Sequence, residues 1–272
     1  MEISNLMKDK IIEYLNSGKR FDNRKFDEFR NLEIETNVSK NAEGSCRVKL
    51  GDTEVLAGVK MDVATPYTDH EKEGTLITTV ELLPMASDRF ELGPPRIEAI
   101  ETARIIDRGI RESGFVDFEK LCIKEGEKVW GICLDIYPMN YDGNLYDAAF
   151  IAAVCALLTA KMPKYDEKIE KVKYGELTTK NVPTTDKIPV MITFYKVGKN
   201  IIVDPRLEEL DACNSRLSMA LTRDKKDFNI NAMQKGEEGE LTEKDLNTIF
   251  GLVKDKADEL LKKIEKATKW NY

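Results

Sequence analysis

The 272 residues are 42% hydrophobic and 33% charged, which supplies a sizeable core and excludes collagen-like, mucin-like and wholly disordered chains. The 49 acidic against 42 basic side chains leave a net charge of −7, so no global basic field draws the chain to nucleic acid and any such contact must be a local patch. Five cysteines with no C-x-x-C pair, and one histidine, His70, predict reduced thiols in a cytoplasmic protein, with no disulfide framework, bound metal or cofactor. Residues 1–5 lack the basic start of a signal peptide, and the most apolar stretch, 148–160, is shorter than the roughly 20 residues of a spanning helix, so no membrane partner is expected.

Along the chain, Leu6, Met7, Ile11, Ile12 and Leu15 recur at helical spacing before Gly18, predicting an N-terminal helix within residues 1–19. From Gly44 the pattern changes to β-rich runs at 45–50, 54–61 and 76–83, read as an antiparallel meander. Pro94-Pro95 breaks the chain, and 97–112 returns to a helical period through Ile100, Ala103, Ile106 and Ile110 until Ser113-Gly114 stops it. A strand at 128–139, a turn at 140–144 and an apolar helix to about 162 complete a first half, residues 20–163. The polar segment 164–187 reads as a linker. A second half, 188–272, holds strands at 190–196, 200–204, 217–221 and 228–233. It ends in a long helix that opens on a capping box, Thr242 to Asp245, and carries the stripe Leu246, Ile249, Phe250, Val253, Ala257, Leu260, Leu261 and Ile264. The expected class is α+β, mixed sheets packed with helices in two halves.

Three fragments carry a family resemblance: Arg20-Phe21-Asp22-Asn23-Arg24, the run 44–58 through Gly51-Asp52-Thr53, and Glu81-Leu82-Leu83-Pro84. Taken in order with 90–95, Ala103-Arg104-Ile105-Ile106-Asp107-Arg108, Val129-Trp130 and 134–137, they make the chain similar to the ribonuclease PH superfamily, and within it to ring subunits of the archaeal exosome. The resemblance implies two related β-α halves of the ribosomal protein S5 domain 2-like kind. It also implies a hexameric ring, a trimer of heterodimers, in which the chain alternates with an Rrp41-like homologous subunit and is joined by RNA-binding cap subunits. Enzymes of the superfamily degrade single-stranded RNA from its 3′ end, inorganic phosphate attacking the terminal phosphodiester.

That chemistry brings two anions together, so it needs guanidinium groups or helix N-termini, and a carboxylate as general acid or metal holder. Active members place an arginine third in a G-x-R turn; here the turn is Gly143-Asn144-Leu145, and leucine holds no phosphate. They also carry two aspartates in a loop of the second half; the matching places here are Leu210 and Arg216, with Asp211 one residue from the first. A guanidinium with a pKa above about 12 neither donates that proton nor binds a cation. No catalytic residue is therefore assigned, and the chain is expected to be the inactive member of a catalytic pair.

RNA contact is expected instead from the helix at 97–112, where Arg104, Arg108 and Arg111 fall within roughly 60° of arc at about 100° per residue. The resemblance supports Arg104 and Arg108, and Arg96 sits where active members hold another phosphate-binding arginine. For Arg96 and Arg111, pairing with neighbouring carboxylates on a solvated face is an equal reading. Two alternatives stay open: a self-sufficient homohexameric phosphorolytic exoribonuclease using Asp204 with Asp211, and a scaffold subunit without RNA contact.

Overall fold

The computed structural model describes residues 4–225 and 227–269. Helix α1 (Asn5–Asn16) starts on the Ser4 cap, whose hydroxyl accepts from the Met7 amide, and strand β1 (Leu32–Thr36) follows. Strands β2 (Gly44–Leu50), β3 (Thr53–Ala64) and β4 (Thr75–Val80) precede α2 (Ile97–Glu112); β5 (Cys122–Lys124), β6 (Lys128–Asn140) and α3 (Leu145–Thr159) come next. A hairpin of β7 (Lys161–Asp166) and β8 (Lys171–Asn181) leads to β9 (Pro189–Val197), β10 (Asn200–Val203), the one-turn α4 (Leu207–Asp211), β11 (Ser215–Asp224), β12 (Asp227–Gly236) and α5 (Glu243–Thr268).

The first sheet has the order β1-β2-β3-β6-β4, with β5 alongside β6. Of the expected meander, β2 and β3 pair in order, extended on the other edge by β1. β4 lies beyond β6 and runs parallel to it, Thr75 opposite Gly131 and Val80 opposite Ile136. The physical reason is the connection: a strand followed by a 16-residue helix returns to its sheet as a crossover, and crossovers join parallel strands. Strand β1, Leu-Glu-Ile-Glu-Thr, which the expected elements did not include, alternates apolar and acidic residues and pairs with β2. The second sheet, β10-β9-β11-β12, is wholly antiparallel.

Helix α3 is apolar all round because both sheets cover it: 13 of its 15 residues are buried, against β2 and β3 on one side and β9 on the other. It ends at Thr159 rather than near 162, since Ala160 is extended and Pro163 biases its predecessor away from the helix. The segment 164–187 carries most of the β7–β8 hairpin, Lys161 pairing with Asn181. Strand β9 is buried on both faces: Val190, Ile192 and Phe194 join the main core, while Tyr195 and Val197 meet Ile11 and Leu15 of α1. The N-terminal helix therefore packs on the second sheet of its own chain. The capping box at α5 forms as expected, the Asp245 amide donating to Thr242 Oγ1 and the Thr242 amide to the Asp245 carboxylate. Phe250 leaves the predicted stripe and is 45% exposed, because it lies one residue beyond the buried Ile249 on the rim of the packed face.

Among the described residues no helix is long and apolar enough to cross a membrane, and no group of three or more His, Cys, Asp or Glu is placed to hold a metal ion.

Candidate functional site

The Gly143-Asn144 turn that launches α3 is left-handed at both residues, φ 83° and 44°. A Cβ on Gly143 would lie 2.3 Å from the Pro205 carbonyl oxygen, so only glycine allows this approach of the two halves. Directly after the turn, Leu145 is buried and lines a cavity of about 630 Å³ between the halves. Leu210 of α4 lines the same cavity, as do Tyr141, Tyr146 and Cys213. The positions that the resemblance aligns with a phosphate-binding arginine and the first aspartate, Leu145 and Leu210, are thus brought to one cavity, and both are leucine.

Arg216, the second residue of β11, is 3% exposed. Its Nη2 donates to Glu101 Oε1 of α2 at 2.7 Å, its Nη1 to Ser218 Oγ at 3.2 Å, and its guanidinium stacks 4.1 Å from the Tyr146 ring centroid. Gly236, opposite it on β12, makes the room: a Cβ there would stand 2.1 Å from Nη2. Burial pushes the Tyr146 hydroxyl up to about 12, with the Arg216 charge opposing the rise. On the other wall, Arg89 grips Asp211 with both nitrogens, 2.6 and 2.7 Å. Four carboxylates, Glu98, Glu101, Asp211 and Glu237, face three cations, Lys8, Arg89 and Arg216, in this cavity. Both guanidiniums there are already paired with carboxylates, which takes up charge that two approaching phosphates would require.

Asp204 is equally committed. It has no exposed surface and accepts from the Arg30 amide at 2.7 Å, Arg30 Nε at 2.9 Å and Nη2 at 2.7 Å, Arg24 Nη1 at 3.1 Å and Asn144 Nδ2 at 3.1 Å. Arg20 is buried beside it, bidentate to Glu209 at 2.9 and 2.5 Å and donating to the carbonyls of Val203 and Asp204. The 20–24 motif is thus a fastener between the N-terminal arm and the second half. Nothing local in the sequence marks this role, because the partners lie some 180 residues away.

Of the four arginines expected at RNA, Arg104 and Arg108 are exposed and line a second cleft, about 480 Å³, between α2 and β11–β12, with Ile97, Ile100 and Met233. Neither makes an ion pair among the described residues. Arg96, at the start of α2, pairs with Glu91. Arg111 turns the other way: Nε donates to Asp107 at 2.7 Å, Nη2 donates to the Leu76 carbonyl, and the guanidinium lies 5.7 Å from the Phe118 ring centroid. On a helical wheel Arg104, Arg108 and Arg111 share one arc, but the Leu76 carbonyl of β4 draws Arg111 away from the cleft that Arg104 and Arg108 line. His70 is exposed beside Glu73, Trp130 is buried against Tyr165, and Trp270 falls outside the described residues.

Two family descriptions match the chain, "3' exoribonuclease family, domain 1" over residues 28–163 and "domain 2" over 187–252. The exosome complex component Rrp42 of Methanosarcina acetivorans is 45% identical over 95% of this chain and 93% of its own length; that of Methanocella arvoryzae is 42% identical over 97% of each. Among solved structures, the Archaeoglobus fulgidus exosome with RNA bound to the active site contains a chain that superposes with a TM-score of 0.85 at 40% identity, covering 95% of this chain and 98% of that one. An archaeal exosome core contains another, with a TM-score of 0.82 at 38% identity over 96% and 97%. With its fold, its paired halves and its near full-length likeness to these proteins, the chain belongs to the 3′ exoribonuclease family of the ribonuclease PH superfamily, among the archaeal exosome Rrp42 components.

Proposed function

We propose that this chain is the non-catalytic, RNA-contacting subunit of an archaeal exosome core ring in the cytoplasm, alternating with a catalytic Rrp41-like homologue in a hexamer, a trimer of heterodimers, that carries RNA-binding cap subunits. The observation that carries the reading is Arg216: a buried guanidinium, paired with Glu101, occupies the place of a family carboxylate while Leu145 occupies that of a phosphate-binding arginine. In this reading Arg104 and Arg108 hold the backbone of single-stranded RNA at the edge of α2, and the partner performs the phosphorolytic 3′-to-5′ cleavage. Their lack of carboxylate partners supports them over Arg96 and Arg111, which are each engaged.

The self-sufficient alternative needs Asp204 and Asp211 as its acids. Asp204 is enclosed by Arg24 and Arg30, and Asp211 is clamped by Arg89, which weighs against both. The test is direct. Purified chain incubated with poly(A) and inorganic phosphate is expected to release no nucleoside diphosphate, and the co-purified mixture with an Rrp41-like subunit is expected to release it. Phosphorolysis by the isolated chain above a no-protein control would overturn the proposal.

A further inference from the structure

Asp147, in the first turn of α3, has no exposed surface, and three donors reach its carboxylate. Asn144 Nδ2 at 3.0 Å and the Thr193 amide at 3.2 Å bind Oδ2, and Thr193 Oγ1 at 2.7 Å binds Oδ1. None of the three is a cation. Burial raises the carboxyl to about 7; the three hydrogen bonds oppose the rise and the nearby Asp204 adds to it. The titratable and charged groups around it come from several elements. Asp204, beyond β10, shares Asn144 with it and is itself bound by Arg24 and Arg30. Tyr195 of β9 donates to Asn144 Oδ1 at 3.1 Å, and Arg216 of β11 stands with Glu101 of α2 and Tyr146.

The buried carboxylate and the buried guanidinium of Arg216 do not touch, yet two hydroxyls join them. Thr193 Oγ1 lies 3.0 Å from Ser218 Oγ, and Ser218 Oγ accepts from Arg216 Nη1 at 3.2 Å. A guanidinium only donates and an ionised carboxylate only accepts. With Asp147 charged, the hydrogens therefore have one consistent order: Arg216 to Ser218, Ser218 to Thr193, Thr193 to Asp147. A proton on Oδ1 reverses the middle of the chain and leaves the Ser218 hydrogen without an acceptor in it.

We infer that Asp147, Thr193 and Ser218 are positioning residues, a hydroxyl-bridged ion pair across the two halves that holds Arg216 against Glu101 and keeps the cavity shut to phosphate. The inference deepens the proposed function and rests on its reading of Arg216 as the blocking group. Its test uses neither RNA nor partner, so failure of one is distinguishable from failure of the other.

The measurement is the 13C carboxyl titration of Asp147 in the full-length chain, assigned by its disappearance in Asp147→Asn. Ser218→Ala is expected to raise the titration midpoint by about one pH unit, because the ionised form loses its connection to the positive charge. Ser218→Thr, which keeps the hydroxyl, is expected to restore the original midpoint. Arg216→Met should raise the midpoint in the otherwise unaltered chain and add nothing further on top of Ser218→Ala. Equal midpoints with and without the Ser218 hydroxyl would overturn the inference. Should Ser218→Ala not fold, Arg216→Met alone decides, an unchanged midpoint overturning it.

Discussion

Arg216 on β11 and Glu101 on α2 stand 115 residues apart in the chain and 2.7 Å apart in the fold, and both line the cavity between the two halves. Arg216 is nearly unexposed whereas the Glu101 side chain is one-third exposed, so the two ends of the pair are worth different amounts.

Removing the carboxylate strands the buried charge. Glu101→Ala is expected to destabilise the chain by about 2 kcal/mol, less than for a fully buried pair because water reaches Glu101 and Tyr146 still stacks on the guanidinium. Urea unfolding reads it as a lower midpoint at unchanged slope. A midpoint equal to that of the unaltered chain would mean that Ser218 and Tyr146 satisfy Arg216 without help.

Asp204→Ala should cost more, about 3–5 kcal/mol, since it leaves both Arg24 and Arg30 facing an empty place in the interior. The Arg30 amide, which donates to Asp204 Oδ2 at 2.7 Å, reports the same loss locally. Its hydrogen exchange is expected to accelerate in the variant beyond the change in global stability, and equal acceleration everywhere would contradict a local fastener.

Asp147 sets a pH dependence whose sign follows from its raised value. Between the ordinary 3.8 and about 7 the folded chain keeps a proton that the unfolded chain has released. The stabilisation is complete below about 3.8 and declines as the pH rises through about 7, by about 1.4 kcal/mol per unit within that window. The unaltered chain is expected to lose stability between about pH 5 and about pH 7 relative to Asp147→Asn, whose amide does not titrate. Parallel stability curves for the two proteins would remove Asp147 as the source.

The double change Arg104→Glu with Arg108→Glu tests the RNA face. In the assembled ring it should weaken single-stranded RNA binding and flatten its salt dependence, each lost phosphate contact removing about 0.7 from the slope of log affinity against log salt. Ring assembly, followed by mass, is expected to survive. Unchanged RNA affinity would instead favour the scaffold reading.

Much of this was legible from local pattern. The helical period at 97–112 and its Ser113-Gly114 stop match α2 residue for residue, and the Thr242 capping box opens α5 as written. Leu145 and Arg216 could be singled out as departures because each falls in a short motif with its own chemistry. The cavity's negative balance could not, since Glu98 and Glu101 of α2 are joined there by Asp211 and Glu237 from distant parts of the second half.

The sequence by itself determined most of the helices and core strands, where the apolar faces lie, and that positions 145 and 216 hold leucine and arginine, Leu145 and Arg216. These are properties of neighbouring residues, set by side-chain period, caps and turn chemistry. Only the tertiary structure decided that β6 lies between β3 and β4, that α1 covers the second sheet, and that Arg216, Arg89 and Arg20 each find a carboxylate more than 100 residues away. Buried charge tolerates no vacancy, so those partners are imposed by the packing of the two halves around α3, a constraint that acts in space and leaves no period along the chain.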